Sequence, residues 1–316
     1  MKKTILATAI AAATFSGAAL AQESNLPTVY GNIQYVLQHT NVDGAGSTVE
    51  HADNGSTLGV THEHEIAPGL TGFFKLELEG INADNKSKSS GIDSLDEAYI
   101  GVKGDFGQVW VGSDDGVYER AVVIIGNFHE VGSDIFSAGT TSEGDQIQYQ
   151  SPSFGGLVLG AGVQVNGDGE GTKSYPYQLS ATYSVDALSV AFAMDSNEAA
   201  VGSNENTYGL AATYDMGDLS LVGEYQTRSD DRDIYGVMGV YTLGANQFAL
   251  AYQLQDMDNG DKNDTVTLQA LHNLSDNMYV YVEGYLSNGD NAAQYTLEGA
   301  SGDEQSIAAV GAVYYF

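Results

Sequence analysis

Apolar and polar residues alternate with a period of two along much of this chain of 316 residues, and no other feature constrains its fold as strongly. Residues 308–316 show the pattern most clearly, because every second residue from Ala308 to Phe316 is apolar. The pattern returns in residues 278–286, 248–254 and 157–165. A period of two places one set of side chains on each face of a β-strand, so the chain is predicted to be all-β.

Alternation alone leaves two kinds of β-protein open. A soluble sandwich alternates with its polar face outward, whereas a membrane barrel alternates with its apolar face outward. After residue 21, the sequence has no apolar run near the roughly 18 residues that a membrane helix needs. If this chain crosses a membrane, it must therefore do so as a closed barrel, because only helices and closed barrels satisfy every backbone polar group in hydrocarbon.

The links between the predicted strands separate these two folds. The predicted strands are residues 28–39, 56–66, 69–82, 93–103, 106–112, 144–151, 156–165, 173–184, 187–194, 205–215, 218–228, 233–242, 245–256, 264–273, 277–287 and 305–316. Very short links alternate with longer, acidic ones such as 40–55 and 113–143, which is typical of outer-membrane barrels. We therefore predict a transmembrane antiparallel β-barrel of about 16 strands, a size that leaves an aqueous lumen.

The N-terminus predicts export. Lys2 and Lys3 precede the mostly apolar stretch 4–20, and Ala19-Leu20-Ala21 supplies the small residues that signal peptidase reads. Residues 1–21 are therefore predicted to be a cleaved signal peptide. Residues 22–316 contain no linker or break in composition, so they are predicted to form a single barrel domain.

Charge and cysteine content exclude several classes of function. Without Lys2 and Lys3, 9 of the 11 basic residues remain against 42 acidic ones, which gives a formal charge of −33. Such a chain would repel phosphate, so nucleic acid is not a predicted partner. The charge fits attraction of cations, calcium-bridged contact with anionic outer-membrane lipid, or a saline habitat, and composition does not separate these. The absence of cysteine excludes disulfides and thiolate metal sites.

Several segments, taken in order, resemble the Gram-negative general porins of the neisserial and proteobacterial type. They are TVYGNI (28–33), STLGV (56–60), DEAYIGV (96–102), GDFG (104–107), VWVG (109–112), QYQSPSFGGL (148–157) and VYYF (313–316). The resemblance covers the whole mature chain. It implies a homotrimeric channel of sixteen strands, whose long third loop folds into the lumen and narrows it. It also implies that the barrel-assembly machinery recognises the C-terminal Phe316.

The sequence departs from this family at the pore wall. Several lumen-facing positions in the family commonly carry Arg or Lys, but the matching residues here are neutral: Asn32, Thr57, Ser113 and Gln148. Lys75 is the only basic residue central to a predicted strand, and it shares its face with Glu77 and Glu79. The pore wall is therefore predicted to contain Asn32, Thr57, Lys75, Glu77 and Gln148, without the usual cluster of positive charge.

Acidic residues and an apolar centre distinguish the longest link, 113–143. Its acids are Asp114, Asp115, Glu119, Glu130, Asp134 and Glu143, against Arg120 as its one Arg or Lys. A solvated surface loop could carry these acids, but the apolar run 122–125 would form an unusual exposed patch there. We therefore predict that the loop folds into the lumen, with a constriction formed by Asp114, Asp115, Glu119, Glu130 and Asp134 facing Lys75 and Arg120.

Two sets of residues resemble metal sites. His62 and His64 lie two apart on one strand face, a spacing that could hold a metal. No third ligand is evident, so a role at an interface between subunits is favoured. Carboxylates in the links 166–170 and 256–261 suggest calcium on the extracellular side, but the second link lacks the Gly and Glu of an EF-hand loop. Flexible, solvated loops are the favoured interpretation.

These features predict a water-filled channel for passive diffusion of ions and small hydrophilic solutes, with a preference for cations. A substrate-specific channel, for example for oligosaccharides, stays open, because one face of a predicted strand carries Tyr279, Tyr281 and Tyr285 as a stacking track. An adhesin or structural barrel is less favoured, since neither a plug domain nor a smaller number of strands is evident. No enzyme or cofactor is predicted, because the G-x-S-x-G and H-E-x-x-H motifs are absent.

Overall fold

The computed structural model describes residues 26–85, 87, 91–92, 94–131, 138–139, 141–165, 175–197, 205–290 and 303–316. Its strands are β1 (Thr28–Val42), β2 (Gly46–Asp53), β3 (Thr57–Ala67), β4 (Leu70–Glu79), β5 (Ser94–Gly104), β6 (Gly107–Ser113), β7 (Gln146–Gln150), β8 (Leu157–Gln164), β9 (Tyr177–Val185), β10 (Leu188–Asp195), β11 (Thr207–Met216), β12 (Leu219–Arg228), β13 (Arg232–Leu243), β14 (Asn246–Met257), β15 (Lys262–Asn273), β16 (Met278–Gly289) and β17 (Glu304–Tyr315). Helix α1 (Val117–Val122) and a 3-10 turn (Gly126–Phe128) lie between β6 and β7. The predicted signal peptide lies outside the described residues and stays a prediction.

The sheet closes on itself as an antiparallel barrel, because β1 pairs with β17 as well as with β2 and β3. β2 and β3 pair with the second and first halves of β1, so together they form one barrel strand. The break between them lies at 54–56, where Gly55 has a φ of +95° and the carboxylate of Asp53 accepts the Gly55 and Ser56 N–H groups. The 17 strand segments therefore form 16 barrel strands, and the predicted fold class is confirmed.

The prediction of a long link at 40–55 was wrong. β1 continues to Val42, and a tight turn leads into β2 at Gly46. Asp43-Gly44 is a common turn pair, and Gly44 and Gly46 have φ values of +72° and +99°, which glycine adopts without strain. The polar side chains that suggested a loop belong to paired strands.

The register places apolar side chains outward and most polar ones inward. Val310, Tyr314 and Phe316 lie on the outer face of the seam between β1 and β17, and each is about half exposed, at 49%, 51% and 54%. The alternate residues of β17, such as Gln305 and Ala309, are buried inside. This is the arrangement of a barrel whose outer face contacts lipid. Among the helices in the described part of the chain, none is long and apolar enough to cross a membrane.

The long link between β6 and β7 folds into the lumen and packs on the inner wall, as predicted. We call residues 114–143 the constriction loop. Its apolar side chains Val122 and Ile125 are fully buried, and they lie where the wall carries small residues. A Cβ atom added to Gly209 would lie 2.5 Å from Val122, and one added to Gly236 would lie 2.8 Å from Ile125. Glycine at these inward positions therefore leaves room for the apolar side chains of the loop.

Candidate functional site

The N-terminal part of the constriction loop is held in place by a network of hydrogen bonds and ion pairs around Arg120. The Arg120 guanidinium lies 2.8 Å from Asp114, donates to the carbonyl of Asp115 at 2.5 Å and also bonds the side chain of Gln148. It sits over the indole of Trp110, at 5.3 Å from the ring centroid, and the indole N–H donates to Asp114 at 2.7 Å. Asp114 is therefore buried as the partner of Arg120, and its charge is largely balanced there.

Lys75 is also paired with acids. Its Nζ lies 2.6 Å from Glu97 and 3.3 Å from Glu77 on the inner faces of β5 and β4. The Tyr30 hydroxyl donates to Glu77, and its ring lies 5.9 Å from the Lys75 nitrogen. The predicted pore wall residues Lys75 and Glu77 thus belong to one network, to which the structure adds Glu97.

Three acids of the constriction loop lie together where the beginning and the end of the loop meet. Carboxylate oxygens of Asp115, Glu119 and Glu143 lie within 4.8 Å of one another. Asp115 and Glu119 are half-buried and Glu143 is exposed, while the backbone N–H of Asp114 donates to the carbonyl of Glu143 at 3.1 Å. We call these three residues the acid cluster. Like charges at this separation repel one another and attract cations.

Glu130 lies farther along the loop and contacts Tyr279 of β16. Its carboxylate accepts a hydrogen bond from the Tyr279 hydroxyl at 2.8 Å. Burial and the nearby Glu283 raise the pKa of Glu130 to about 7, against the opposing effect of the Tyr279 hydrogen bond. Its negative charge therefore increases as the pH rises through neutrality. Asp134 lies outside the described residues.

The neutral positions of the predicted wall face inward. Asn32 donates to the Thr57 hydroxyl at 2.9 Å, and both residues are nearly buried. Gln148 donates to the carbonyl of Asp115 at 2.9 Å while it accepts from Arg120. Ser113 is the last residue of β6. Gln148 therefore contributes to fixing the loop as well as lining the wall.

The most important residues that the sequence analysis missed are two buried glutamates of the wall, Glu224 on β12 and Glu283 on β16. One oxygen of Glu224 accepts hydrogen bonds from the backbone N–H groups of both Ile124 and Ile125. The hydrogen bond from Ile125 is 2.6 Å long. Glu283 accepts the backbone N–H groups of two loop residues, both at 2.9 Å: Glu130 and Val131. We call Glu224 and Glu283 the wall anchors. Their signal in the sequence was a glutamate at an inward position in the middle of a strand.

The C-terminal part of the constriction loop is held by two further residues of the barrel wall. Asp195 accepts hydrogen bonds from the backbone N–H of Thr141 at 3.1 Å and from its hydroxyl at 2.5 Å. Gln226 accepts the backbone N–H of Ala138 at 3.0 Å. Inward polar residues on β10, β12 and β16 thus bind the loop on both sides of its centre, in addition to the apolar contacts.

The predicted tyrosine track is not open to solutes. Tyr281 and Tyr285 are each 1% exposed, because they pack in the apolar cluster with Val131 and Ala138 of the constriction loop. The expectation of an exposed stacking surface on this strand was therefore wrong. Period-two alternation places these side chains inside the barrel but does not show what covers them.

The sequence-predicted metal sites do not gather further ligands in the residues that the structure describes. The rings of His62 and His64 stack at 5.4 Å on the outer face of β3. In the 256–261 link, Asp256 pairs with Lys262 at 2.8 Å and Asp261 bonds Asn259. The link 166–170 lies outside the described residues.

Comparison with known proteins identifies relatives over the whole chain. The family model of the Gram-negative porins matches residues 7–292. A monosaccharide porin of Halomonas sp is 30% identical in an alignment that covers 100% of both chains. An anion-selective porin from Comamonas acidovorans has a TM-score of 0.77 at 21% identity, over 92% of this chain and 99% of that one. An outer membrane protein of Vibrio cholerae, in trimer form, has a TM-score of 0.66 at 17% identity, over 92% and 99%. At these identities, the similarity to the two solved structures is evidence for the fold alone.

Proposed function

Since this chain belongs to the Gram-negative porin family, we propose that it forms a homotrimeric, cation-preferring channel for ions and small hydrophilic solutes. As a porin, it is an outer-membrane barrel that encloses a channel. Diffusion through the lumen requires no bond to be made or broken, so the protein acts through the size and charge of its constriction.

The acid cluster is the observation that carries the proposed cation preference. Lys75 and Arg120 are both paired with carboxylates, so neither gives the lumen an unbalanced positive charge. The acid cluster adds three carboxylates in a small volume. A narrow lumen with low-dielectric walls focuses such a field and concentrates counter-ions, whereas charges on the outer loops are largely screened beyond about 8–10 Å.

The anion selectivity named for the Comamonas porin does not transfer with the fold. Ion selectivity depends on the charges at the constriction, and one barrel architecture can carry charges of either sign. In this chain, the wall positions Asn32, Thr57 and Gln148 carry neutral side chains, so they add no positive charge to the lumen. The proposal therefore follows from side chains and not from the shared architecture.

Neutralising the acid cluster should reduce the cation preference. We expect the combined variant Asp115→Asn, Glu119→Gln and Glu143→Gln to shift the reversal potential in a KCl gradient toward zero, because the three charges lie at the constriction. The shift should be larger at low salt, where screening is weaker. The measurement uses purified protein in planar bilayers.

The matched control removes three exposed acids at the extracellular rim: Asp43→Asn, Asp258→Asn and Glu304→Gln. It changes the total charge equally, and we expect a reversal potential close to that of the wild type. A wild-type potential of the anion-permeable sign would refute the proposed preference. Equal shifts in the two triple variants would assign selectivity to total charge and remove the acid cluster from the constriction.

A self-association surface is proposed on the outer face of β1 and β2. Val29 and Leu37 are exposed there, together with His39 and His51. Imidazole is a poor contact for lipid, so this sector is better suited to a neighbouring copy than a sector with apolar side chains only. Closed symmetry lets identical chains bury such a surface.

A photo-crosslinking residue at Leu37 should therefore join neighbouring copies, whereas one at Leu250 on the outer face of β14 should react with lipid. Both positions are about half exposed, at 48% and 55%. The readout is the mass of the products on denaturing gels after boiling. Crosslinked trimers from Leu250 but not from Leu37 would place the interface elsewhere, and their absence at both positions would contradict a trimer with this surface.

A saccharide channel is the second candidate function. The relative from Halomonas is named a monosaccharide porin and aligns with this chain from end to end. In the structure, a recess of the inner wall lined by Arg120, Gln150, Ser180 and Thr182 favours this candidate, although the tyrosine track does not. Passage of sugars is compatible with cation preference, since a neutral solute is not excluded by the charge of the constriction.

A further inference from the structure

A recess opens onto the lumen beneath helix α1. It lies on the periplasmic side of the constriction loop, because its wall residues on β7 and β9 lead toward the short turns. The lining includes Trp110, Arg120, Gln150, Gly160, Ser180 and Thr182.

The recess combines an apolar floor with polar groups that have hydrogen-bonding capacity left. Val117 and Val158 supply apolar surface beside Trp110. In the part of the chain that the structure describes, the hydroxyls of Ser180 and Thr182 make no hydrogen bond to protein. A sugar ring is complementary to both kinds of surface. Its C–H groups are apolar, and its hydroxyl groups both donate and accept hydrogen bonds.

Arg120 and Gln150 add directional donors. Arg120 uses three of its five N–H donors on Asp114, Asp115 and Gln148, which fixes the plane of the guanidinium and leaves two donors. Gln150 accepts from Gln108 at 2.7 Å, and its own NH₂ group makes no hydrogen bond to the residues that the structure describes. A pre-positioned planar donor loses little freedom when it binds a hydroxyl group.

Charge around the recess selects against ionised ligands. The positive charge of Arg120 is balanced by Asp114 at 2.8 Å, so it does not favour a carboxylate or phosphate. The acid cluster nearby repels anions. None of the lining residues is acidic, so a cationic solute finds no carboxylate inside the recess.

We infer that this recess is a binding subsite for a neutral monosaccharide, occupied as the solute passes the constriction loop. The inference rests on the proposed function, because a sugar reaches the recess only through an open lumen. Helix α1 closes one side: a Cβ atom on Gly160 or Gly162 would lie 3.0 or 3.1 Å from Val117. Val117 therefore packs closely on β8 at this side of the recess.

The test measures ion current through single trimers in planar bilayers while D-glucose is added to both sides. Binding in the recess should reduce the current in a saturable manner, whereas simple diffusion gives no saturation. In the variant Ser180→Ala with Thr182→Val, we expect the half-saturating glucose concentration to rise about tenfold or more, because two hydrogen-bonding hydroxyls are lost. The ion conductance without sugar should stay unchanged.

Ser184→Ala is the matched control, because Ser184 lies two residues beyond Thr182 on the same face of β9 but outside the recess. Gluconate, an anionic analogue, should give no saturable effect. A wild-type channel that conducts ions but shows no saturable glucose effect would overturn the subsite while the proposed channel function stands. Unchanged glucose affinity in the double variant would overturn it as well, whereas the absence of any ion conductance would instead refute the proposed function.

Discussion

Replacing Glu283 with alanine should free the centre of the constriction loop from the barrel wall and make the open channel wider and noisier. The Glu283 carboxylate accepts four hydrogen bonds, from the Glu130 and Val131 N–H groups, the Gln269 amide and the Tyr285 hydroxyl. Alanine leaves these buried donors without their acceptor, at about 1–3 kcal/mol for each unsatisfied group. We expect single-channel conductance and current fluctuations to rise, together with a lower free energy of unfolding.

Two variants separate the loss of the anchor from a general loss of stability. Glu283→Gln retains one acceptor oxygen, so its conductance should lie between those of the wild type and the alanine variant. Gln247→Ala removes a buried polar side chain of the inner wall that is not among the loop anchors seen in the described residues. Each protein is first tested for heat-modifiable migration on gels, which reports a folded barrel. A folded Glu283→Ala channel with wild-type conductance and noise would show that this anchor does not hold the loop.

The strands and their faces were predictable because each depends on local pattern. The outer face of the barrel is apolar along most strands, so the alternation that ends at Phe316 fixes the face of every residue in β17. The lumen position of the constriction loop was also predictable, since the apolar run 122–125 required a partner. The small inward residues that receive it, such as Gly209 and Gly236, carry no comparable signal, because glycine is frequent throughout the chain.

The charge balance of the site was not predictable, because it depends on contacts between distant segments. Asp114 was expected to face the lumen as an acid of the constriction, and the structure buries it between Trp110 and Arg120. Sequence spacing gave no sign that Lys75 would lie 2.6 Å from Glu97, since that contact depends on the register of β4 with β5. The register of a sheet depends on all of its strands together, so the sequence of one strand does not determine it.

Replacing Phe316 with alanine should remove most of the assembled barrel from the outer membrane. Backbone hydrogen bonds join Phe316 to Gly31 across the seam of the barrel, at 3.0 and 3.2 Å, and alanine retains both. The substitution removes the aromatic ring, which lies against Gly31 on the outer face. If the assembly machinery recognises this ring, the precursor should accumulate in the periplasm, as measured by fractionation and heat-modifiable migration on gels.

Tyr314→Ala provides the matched control, because Tyr314 lies on the same outer face two residues earlier and is about equally exposed, at 51% against 54%. Both variants lose a large apolar contact with lipid, so refolding into detergent, where no machinery is present, should be affected to a similar extent. A role in recognition requires that only the Phe316 variant fails in cells while both refold alike. Should the Phe316 variant refold as poorly as it assembles, the ring acts through packing on Gly31. Normal assembly of this variant in cells would place the recognition signal elsewhere in the chain.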